Sequence, residues 1–544
     1  MSTDTTDPPA GDAAGTPDIF VRNATGLVRE LNGAQQIGFN LIGSVPTVGV
    51  AVSLFFAAAA FPRGNFYIAT LITIPVVLAF TYAFGLLTAA MPRTGGDYVL
   101  VGRILHPAVG LMSSFCLILA LAWSEAFLAT ATVQLGVAPG LTVIGIVGKS
   151  KTLLDWGNTL VSNKNWQFAV GLGLILASGA LIMLGWRWLK RVLTPLVLFS
   201  IGGLFVSVIV ALFTSKHGFR TDFNSIANPL THSTDSYAAT LAGASKSAST
   251  GSGSSPLPLV GVLAAFAIFV YYTSYIGSEI RQGASRRTGH RMALAGLATL
   301  AILVVSIFAF YHSPGKAFLI ASYSGGYPKA LGSAVPGYFV LTSLQSGNTV
   351  LAVLLSLAFV AFWPAILAVT IIPPTRVLFA YAFDGILPTR ISNVSRRGAP
   401  TIATACTTIL FILVLVWATY ITSNFATIFS YGVLVQLVSM GLVGVAAMAF
   451  PYLRPEMYRA SVSNATVLGV PIVVLAGAGA VISTIALWWI YIKYSYFGVG
   501  KPLGLVVWTG GALVAANAFY LGARALRRRA GIDLGKVYAE IPPA

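Results

Sequence analysis

Only 15 of the 544 residues are Asp or Glu, so the acidic side chains can be weighed one by one. Glu125 stands in Ala120-Leu-Ala-Trp-Ser-Glu-Ala-Phe-Leu128, deep inside an apolar run. A carboxyl in hydrocarbon is costly and is a functional candidate by default. Two chemistries suit it: an anionic partner for a cationic substrate group, or a carrier that binds and releases a proton. The structural alternative is a neutral carboxyl, or one held by a hydroxyl of a neighbouring helix. Glu279 differs, because Arg281, Arg286, Arg287 and Arg291 follow it, and it reads as an interfacial gate or salt bridge. Asp97 and Arg103 share one short segment between apolar runs, and Asp384 lies in another. Opposed charges there could pair and release to close a passage, or merely cap loops and anchor the chain at the membrane surface. Enzymatic constellations are lacking. His106, His217, His232, His290 and His312 fall at the ends of apolar runs or between them, without ligand spacing. Cys116 and Cys406 sit singly in apolar runs, which excludes a disulfide framework and a metal-binding cluster.

The elements that must position these groups are set by composition. Hydrophobic residues make up 56% of the chain and charged ones 9%, with a mean hydropathy of +0.82. A soluble domain carries roughly 25% charged residues, so a water-soluble enzyme is excluded and an all-α membrane bundle is expected. Twelve stretches suit spanning helices, near 37–60, 66–90, 107–135, 166–185, 192–213, 257–279, 291–313, 346–376, 400–421, 425–450, 466–492 and 502–525.

The net charge of +18 reads as topology rather than as a nucleic-acid surface. Most Lys and Arg fall in segments that are cytoplasmic if both termini are inside, among them Arg187, Lys190 and Arg191, Arg281 to Arg291, and Arg524 to Arg529. Residues 1–18 are acidic and rich in Pro, Gly and Thr, without the basic and apolar regions of a signal peptide. The stretch from Ser215 to Pro258 contains a Ser/Gly-rich run at 242–255 and is expected to be a poorly ordered outer linker between two five-helix halves.

One helix is built to break. The first stretch reads Gly43-Ser-Val-Pro46-Thr47 at its middle, and Pro46 lacks an N–H and clashes with the turn before it. The freed backbone groups must be satisfied by protein, water or ligand. A simple proline kink is the bland alternative. The sixth stretch, Phe266-Ala-Ile-Phe-Val-Tyr-Tyr-Thr-Ser-Tyr275, is the possible counterpart, although no Gly or Pro between Gly261 and Gly277 demands a break. Interrupted helices at matching places in two halves are the best sequence pointer to a transport site.

Three segments resemble the amino acid-polyamine-organocation (APC) superfamily, in its prokaryotic amino acid permease type. Met91-Pro-Arg-Thr-Gly-Gly-Asp97-Tyr98 is similar to the family's loop after helix 2. Pro374-Thr-Arg376-Val-Leu-Phe-Ala-Tyr-Ala-Phe-Asp384-Gly385-Ile-Leu-Pro388, continued by Arg397-Gly-Ala-Pro400, resembles its segment after helix 8. Glu279 with Arg281 to Arg287 resembles the acidic-then-basic end of its sixth helix. The resemblance implies twelve transmembrane helices in a leucine-transporter-like 5+5 inverted repeat, followed by two C-terminal helices. It divides the chain into a cytoplasmic tail (1–36), repeat 1 (37–213), an extracellular loop (214–256), repeat 2 (257–450), helices 11 and 12 (451–525) and a second cytoplasmic tail (526–544).

The function implied is a secondary transporter of an amino acid or related amine in the plasma membrane, working by alternating access and not an enzyme. The implied substrate-binding residues are Gly43, Ser44, Val45, Pro46 and Thr47, with Phe269, Val270 and Tyr271 as the unwound stretch of the sixth helix. Glu125 joins them, and Asp97, Arg103, Glu279 and Asp384 are the gating candidates. Proton-coupled members carry a Lys in helix 5 near the place Ser200 takes here, and this chain has none beyond Lys190. Sodium coupling, proton coupling through Glu125 and exchange without ion coupling therefore stay open, and no other cofactor is implied. An ion channel is the less favoured alternative, since no pore-loop repeat or ring of charge is visible.

The charge asymmetry predicts the labelling of single cysteines by an impermeant thiol reagent. Ser249→Cys should react from outside intact cells, and Thr5→Cys only after permeabilisation; the reverse pattern would refute the orientation.

Overall fold

The computed structural model describes residues 27, 29–244, 254–333, 336–421, 425–494 and 506–529. The expected N-terminal tail up to residue 26, the linker core at 245–253 and the C-terminal tail from 530 lie outside them, as does the start of the twelfth apolar stretch. The described chain is mostly helical, and eleven of its helices are long and apolar enough to cross a membrane. They run Gly33–Ala60, Phe66–Ala90, Pro107–Val147, Lys164–Met183, Trp186–Phe213, Leu257–Tyr275, Arg287–Gly326, Thr349–Phe383, Thr401–Tyr420, Ser430–Leu453 and Ile472–Lys493, and are called spans 1 to 11. The twelfth stretch carries a helix over Gly511–Arg529. A two-residue turn with Leu468 and Gly469 at positive φ joins a short antiparallel hairpin, Thr466–Val467 against Val470–Pro471, between spans 10 and 11.

Span 1 packs against span 7 and span 3 against span 10, while span 8 lies against spans 3, 4 and 5. Several expected boundaries move. Span 3 continues past residue 135 to Val147 through a π-helical segment, Thr132–Val137. Span 8 continues through Pro373 and Pro374 to Phe383, so Arg376 is helical and Asp384 caps the helix instead of lying in a loop. Residues 371–377 are all buried, and packing on every side holds the helix despite the lost N–H groups.

The inner loop expected around Asp97 and Arg103 is instead a helix, Asp97–Ile104, buried over its whole length. It follows Gly96, whose φ of 52° is open to glycine. It also lies so close to span 3 that a Cβ on Gly110 would come within 2.5 Å of the Gly102 Cα. Asp97 and Arg103 are thus core residues, not surface anchors.

The segment after span 5 is also more ordered than its composition suggests. Helices form over Lys216–Thr231, capped by Ser215, and over Ser236–Ala242, capped by Asp235. Phe219, Phe223 and Tyr237 converge on Phe318 with ring centroids 5.4, 5.2 and 4.7 Å away. These aromatics lie ahead of the Ser/Gly-rich run, and their burial offsets the ordering cost of a segment that otherwise reads as linker. Phe318→Ala should lower conformational stability by about 3–5 kcal/mol, the usual cost of deleting a buried aromatic. Thermal unfolding in detergent would read the loss, and an unchanged midpoint would mean that this outer layer is not coupled to the bundle.

Candidate functional site

Span 1 is broken at Ser44 and Val45. The helix Gly33–Gly43 ends there, and a second begins at Pro46 and continues to Ala60. Val45 carries the reversal with φ 50° and ψ 53°, a left-handed conformation that a β-branched residue adopts only when its surroundings impose it. Pro46 occupies the first turn of the new helix, where its missing N–H costs nothing. The Ser44 hydroxyl donates to the Leu41 carbonyl at 2.8 Å and shares a 2.6 Å hydrogen bond with Thr299 of span 7. All of residues 43–47 are buried, and Thr47 Oγ1 has no hydrogen-bond partner.

Span 6 breaks as well, without a breaker residue. Its helix stops at Ala267, the backbone runs irregularly through Phe269 and Val270, and 3₁₀ turns follow at Tyr272–Tyr275 and Gly277–Glu279. The run Phe-Val-Tyr-Tyr-Thr has weak helix propensity, and the side chain that bonds its last residue is Asn40. Its Nδ2 donates to Thr273 Oγ1 at 3.0 Å, and its Oδ1 accepts from the Thr273 N–H at 3.1 Å. The two breaks also meet directly, since a Cβ on Gly43 would lie 2.8 Å from the Phe269 carbonyl oxygen.

Around the breaks, the Tyr271 ring stacks on Phe84 at 4.2 Å, and its hydroxyl accepts from Gln436 of span 10. Glu125 projects from span 3 and is fully buried, with no hydrogen-bond partner at either oxygen. Tyr272 lies within electrostatic reach of it. Among the described residues, no group of three His, Cys, Asp or Glu could hold a metal ion.

The four charged gating candidates fall into three separate clusters at one end of the bundle. Arg376 binds Glu279 through two nitrogens, at 2.7 and 3.0 Å, and Trp186 Nε1 donates to the same carboxylate. The partner of Glu279 is thus in span 8, not in the run from Arg281 to Arg291. Arg103 pairs with Asp384 at 2.7 Å, and Tyr98 donates to that carboxylate, also at 2.7 Å. Asp97 pairs with no arginine; the Ser113 and Ser439 hydroxyls each donate to its Oδ2 at 2.6 Å. Burial raises Asp97 from 3.8 to about 6, while those hydroxyls, Tyr275 and the Tyr98 N–H hold it lower than burial alone would. Backbone bonds join the same end: the Glu30 and Leu31 N–H groups donate to the Glu279 carbonyl at 3.0 and 3.1 Å. Leu31 pairs with Ile280, and Thr94 with Ile276.

The structure brings Gly43 to Thr47 together with Phe269, Val270 and Tyr271. It sets Glu125 near Tyr272, places Glu279 at the far end of the irregular stretch of span 6 with Asp97 against Tyr275 of that stretch, and leaves Arg103 and Asp384 in a pair of their own. Sequence reasoning missed Asn40, Thr299 and Gln436. Asn40 carried a usable signal, a polar amide within an apolar span. Thr299 and Gln436 acquire meaning only from the neighbours that packing gives them.

No curated protein matches the sequence. A family model described as "Amino acid permease" matches residues 37–513, from the start of span 1 to beyond span 11. Eleven apolar helices, two of them broken and tied to each other, are the structural setting of that match. On this evidence the chain is a multi-pass membrane protein and belongs to the amino acid permease family.

Proposed function

We propose that this permease is a secondary active transporter that carries an amino acid or related amine across the plasma membrane by alternating access. The observation that carries the reading is the pair of touching helix breaks, with an unpartnered carboxyl nearby. At the break in span 1 the helix that starts at Pro46 turns its first N–H groups and positive dipole end towards Gly43, a cradle for a substrate carboxylate. The Phe269 carbonyl, beside Gly43, suits the substrate amine. Glu125 then receives a cationic substrate group or carries a proton. In this reading Gly511–Arg529 completes a twelfth span, spans 1–5 and 6–10 are inverted repeats, and both termini are cytoplasmic. Glu279–Arg376 and Arg103–Asp384 are then the pairs that must part for the site to open inward.

Uptake of labelled amino acids and amines into proteoliposomes, with and without imposed sodium and proton gradients, identifies the substrate and the coupling. Gly43→Leu should abolish binding, because any side chain there runs into the Phe269 backbone. Binding at parental affinity would place the site elsewhere. Glu125→Gln removes charge and titration at nearly constant shape. If the carboxylate binds a cationic group, affinity falls by about 1.5–3 kcal/mol. If it carries protons, exchange survives while gradient-driven accumulation is lost. Unchanged affinity with unchanged pH dependence would make Glu125 a packing residue.

Asp97 yields a prediction with a definite sign. Its folded-state value, about 6, lies above the 3.8 of an unperturbed carboxyl, so the folded protein favours the protonated form. That contribution to stability is complete below 3.8 and is lost as pH rises through about 6. Asp97→Asn should therefore gain thermal stability relative to the parent between acidic and neutral pH. Parallel pH profiles for parent and variant would contradict the assignment.

A further inference from the structure

Beside the closed end of the bundle lies a cavity of about 550 Å³ that plays no part in the reading above. Arg29, Arg281 and Arg287 line it together with Gln282, Ser278 and Ser285, and no carboxylate is among its lining residues. All three arginines are exposed, and among the described residues none of them has a carboxylate partner. The two acidic residues closest in sequence are engaged elsewhere: Glu30 with Lys190 at 2.9 Å and Glu279 with Arg376. Neighbouring cations add to the excess. Arg93 is pulled below its ordinary value by burial and by the charge of Arg29. Arg291 donates to Gln36 and to the lining residue Gln282, both neutral. Arg286 is taken up by the Val462 carbonyl and Asn464.

Like charges held around a cavity without counter-charge repel one another, and an anion that entered would relieve the repulsion. Guanidinium forks match tetrahedral oxyanions in geometry as well as charge. The volume exceeds what a bare phosphate fills and falls in the range of small-molecule sites. The walls of the cavity are also the pieces that close this end of the bundle. Arg29 precedes Leu31, which pairs with Ile280; Pro92 precedes Thr94, which pairs with Ile276; and Ile280 itself lines the cavity.

We infer that this cavity is a binding site for a phosphate-bearing anion, and that its occupancy clamps the segment before span 1, the loop after span 2 and the end of span 6 together. An anion that binds across the three segments stabilises the arrangement in which they touch, and so opposes opening at this end. The same chemistry is offered by the headgroup of an anionic phospholipid and by a soluble phosphate ester. The clamp rests on the alternating-access reading; the binding site does not.

The test uses the full chain, with Arg281→Gln/Arg287→Gln as the variant and Arg459→Gln as an exposed control outside the cavity. Thermal unfolding in detergent is followed against sodium pyrophosphate, with sodium chloride at equal ionic strength as reference. In nanodiscs it is compared between phosphatidylcholine alone and phosphatidylcholine with phosphatidylglycerol. A saturable stabilisation by pyrophosphate, weakened at least tenfold in the double variant and retained in Arg459→Gln, supports the site with a soluble source. Stabilisation by phosphatidylglycerol, lost in the double variant alone, supports it with a lipid source. Equal responses of parent and double variant in both arms, or no response in either, overturn it. For the clamp, the stabilising anion is presented at the cytoplasmic face of proteoliposomes, and uptake should slow several-fold for the parent but not for the double variant. Stabilisation without slowing would overturn the clamp while leaving the site standing.

Discussion

A polypeptide that interrupts a helix inside a membrane must find partners for the backbone groups it frees, and the centre of this protein is organised around that demand. Asn40 meets much of it. One side-chain amide, on the helix before the first break, supplies a donor and an acceptor to Thr273 beyond the second. The two interruptions are thereby one structural unit. Gly43 belongs to the same unit because the Phe269 carbonyl lies where its side chain would be. Val45 adds strain of about 1–3 kcal/mol, which persists only because Ser44, Thr299 and the flanking helices over-determine its conformation.

The end of the bundle that carries the buried ion pairs follows a different principle. Removing charges from water costs several kcal/mol per ion, and the arrangement answers with directional bonds: two from Arg376 to Glu279, and one each from Arg103 and Tyr98 to Asp384. A buried pair of this kind contributes little net stability when formed and costs about 3–5 kcal/mol when one partner is deleted. In the alternating-access reading proposed above, such a pair is a two-state contact, engaged as here or solvated once the segments part. The arginines that line the neighbouring cavity are instead exposed, and among the described residues none has a carboxylate partner.

Much of this was legible in the sequence, unevenly. The spans follow from apolar length, and Gly43 and Pro46 mark the place of the first break, although the residues alone suit a proline kink equally well. The second break has no local cause. Phe269 to Tyr271 could be placed only by resemblance, because the side chain that ties this stretch to the first break, Asn40, is more than two hundred residues away. The buried helix at Asp97–Ile104 was hidden by its charges, which look like a surface until Ser113, Ser439 and Asp384 are brought to them by packing. Conversely, Ser215 to Pro258 looked uniformly like linker because its Ser/Gly-rich run obscured the aromatic residues before it. In each case the missing information was a long-range partner.

Four carboxylates, Asp97, Glu125, Glu279 and Asp384, are buried to nearly the same degree, so burial does not set their roles apart. Their neighbours do. Hydroxyls surround Asp97, an arginine and an indole hold Glu279, and an arginine and a phenol hold Asp384. Glu125 alone among the four has no hydrogen bond from the protein, although serine, tyrosine and glutamine side chains stand on its own and adjoining elements. Leaving a buried polar group unsatisfied costs about 1–3 kcal/mol or more, and at each of the other three sites at least one carboxylate oxygen is hydrogen-bonded. In the transporter reading proposed above, Glu125 thus leaves beside Tyr272 a bonding capacity suited to a proton or a cationic group arriving from outside the protein.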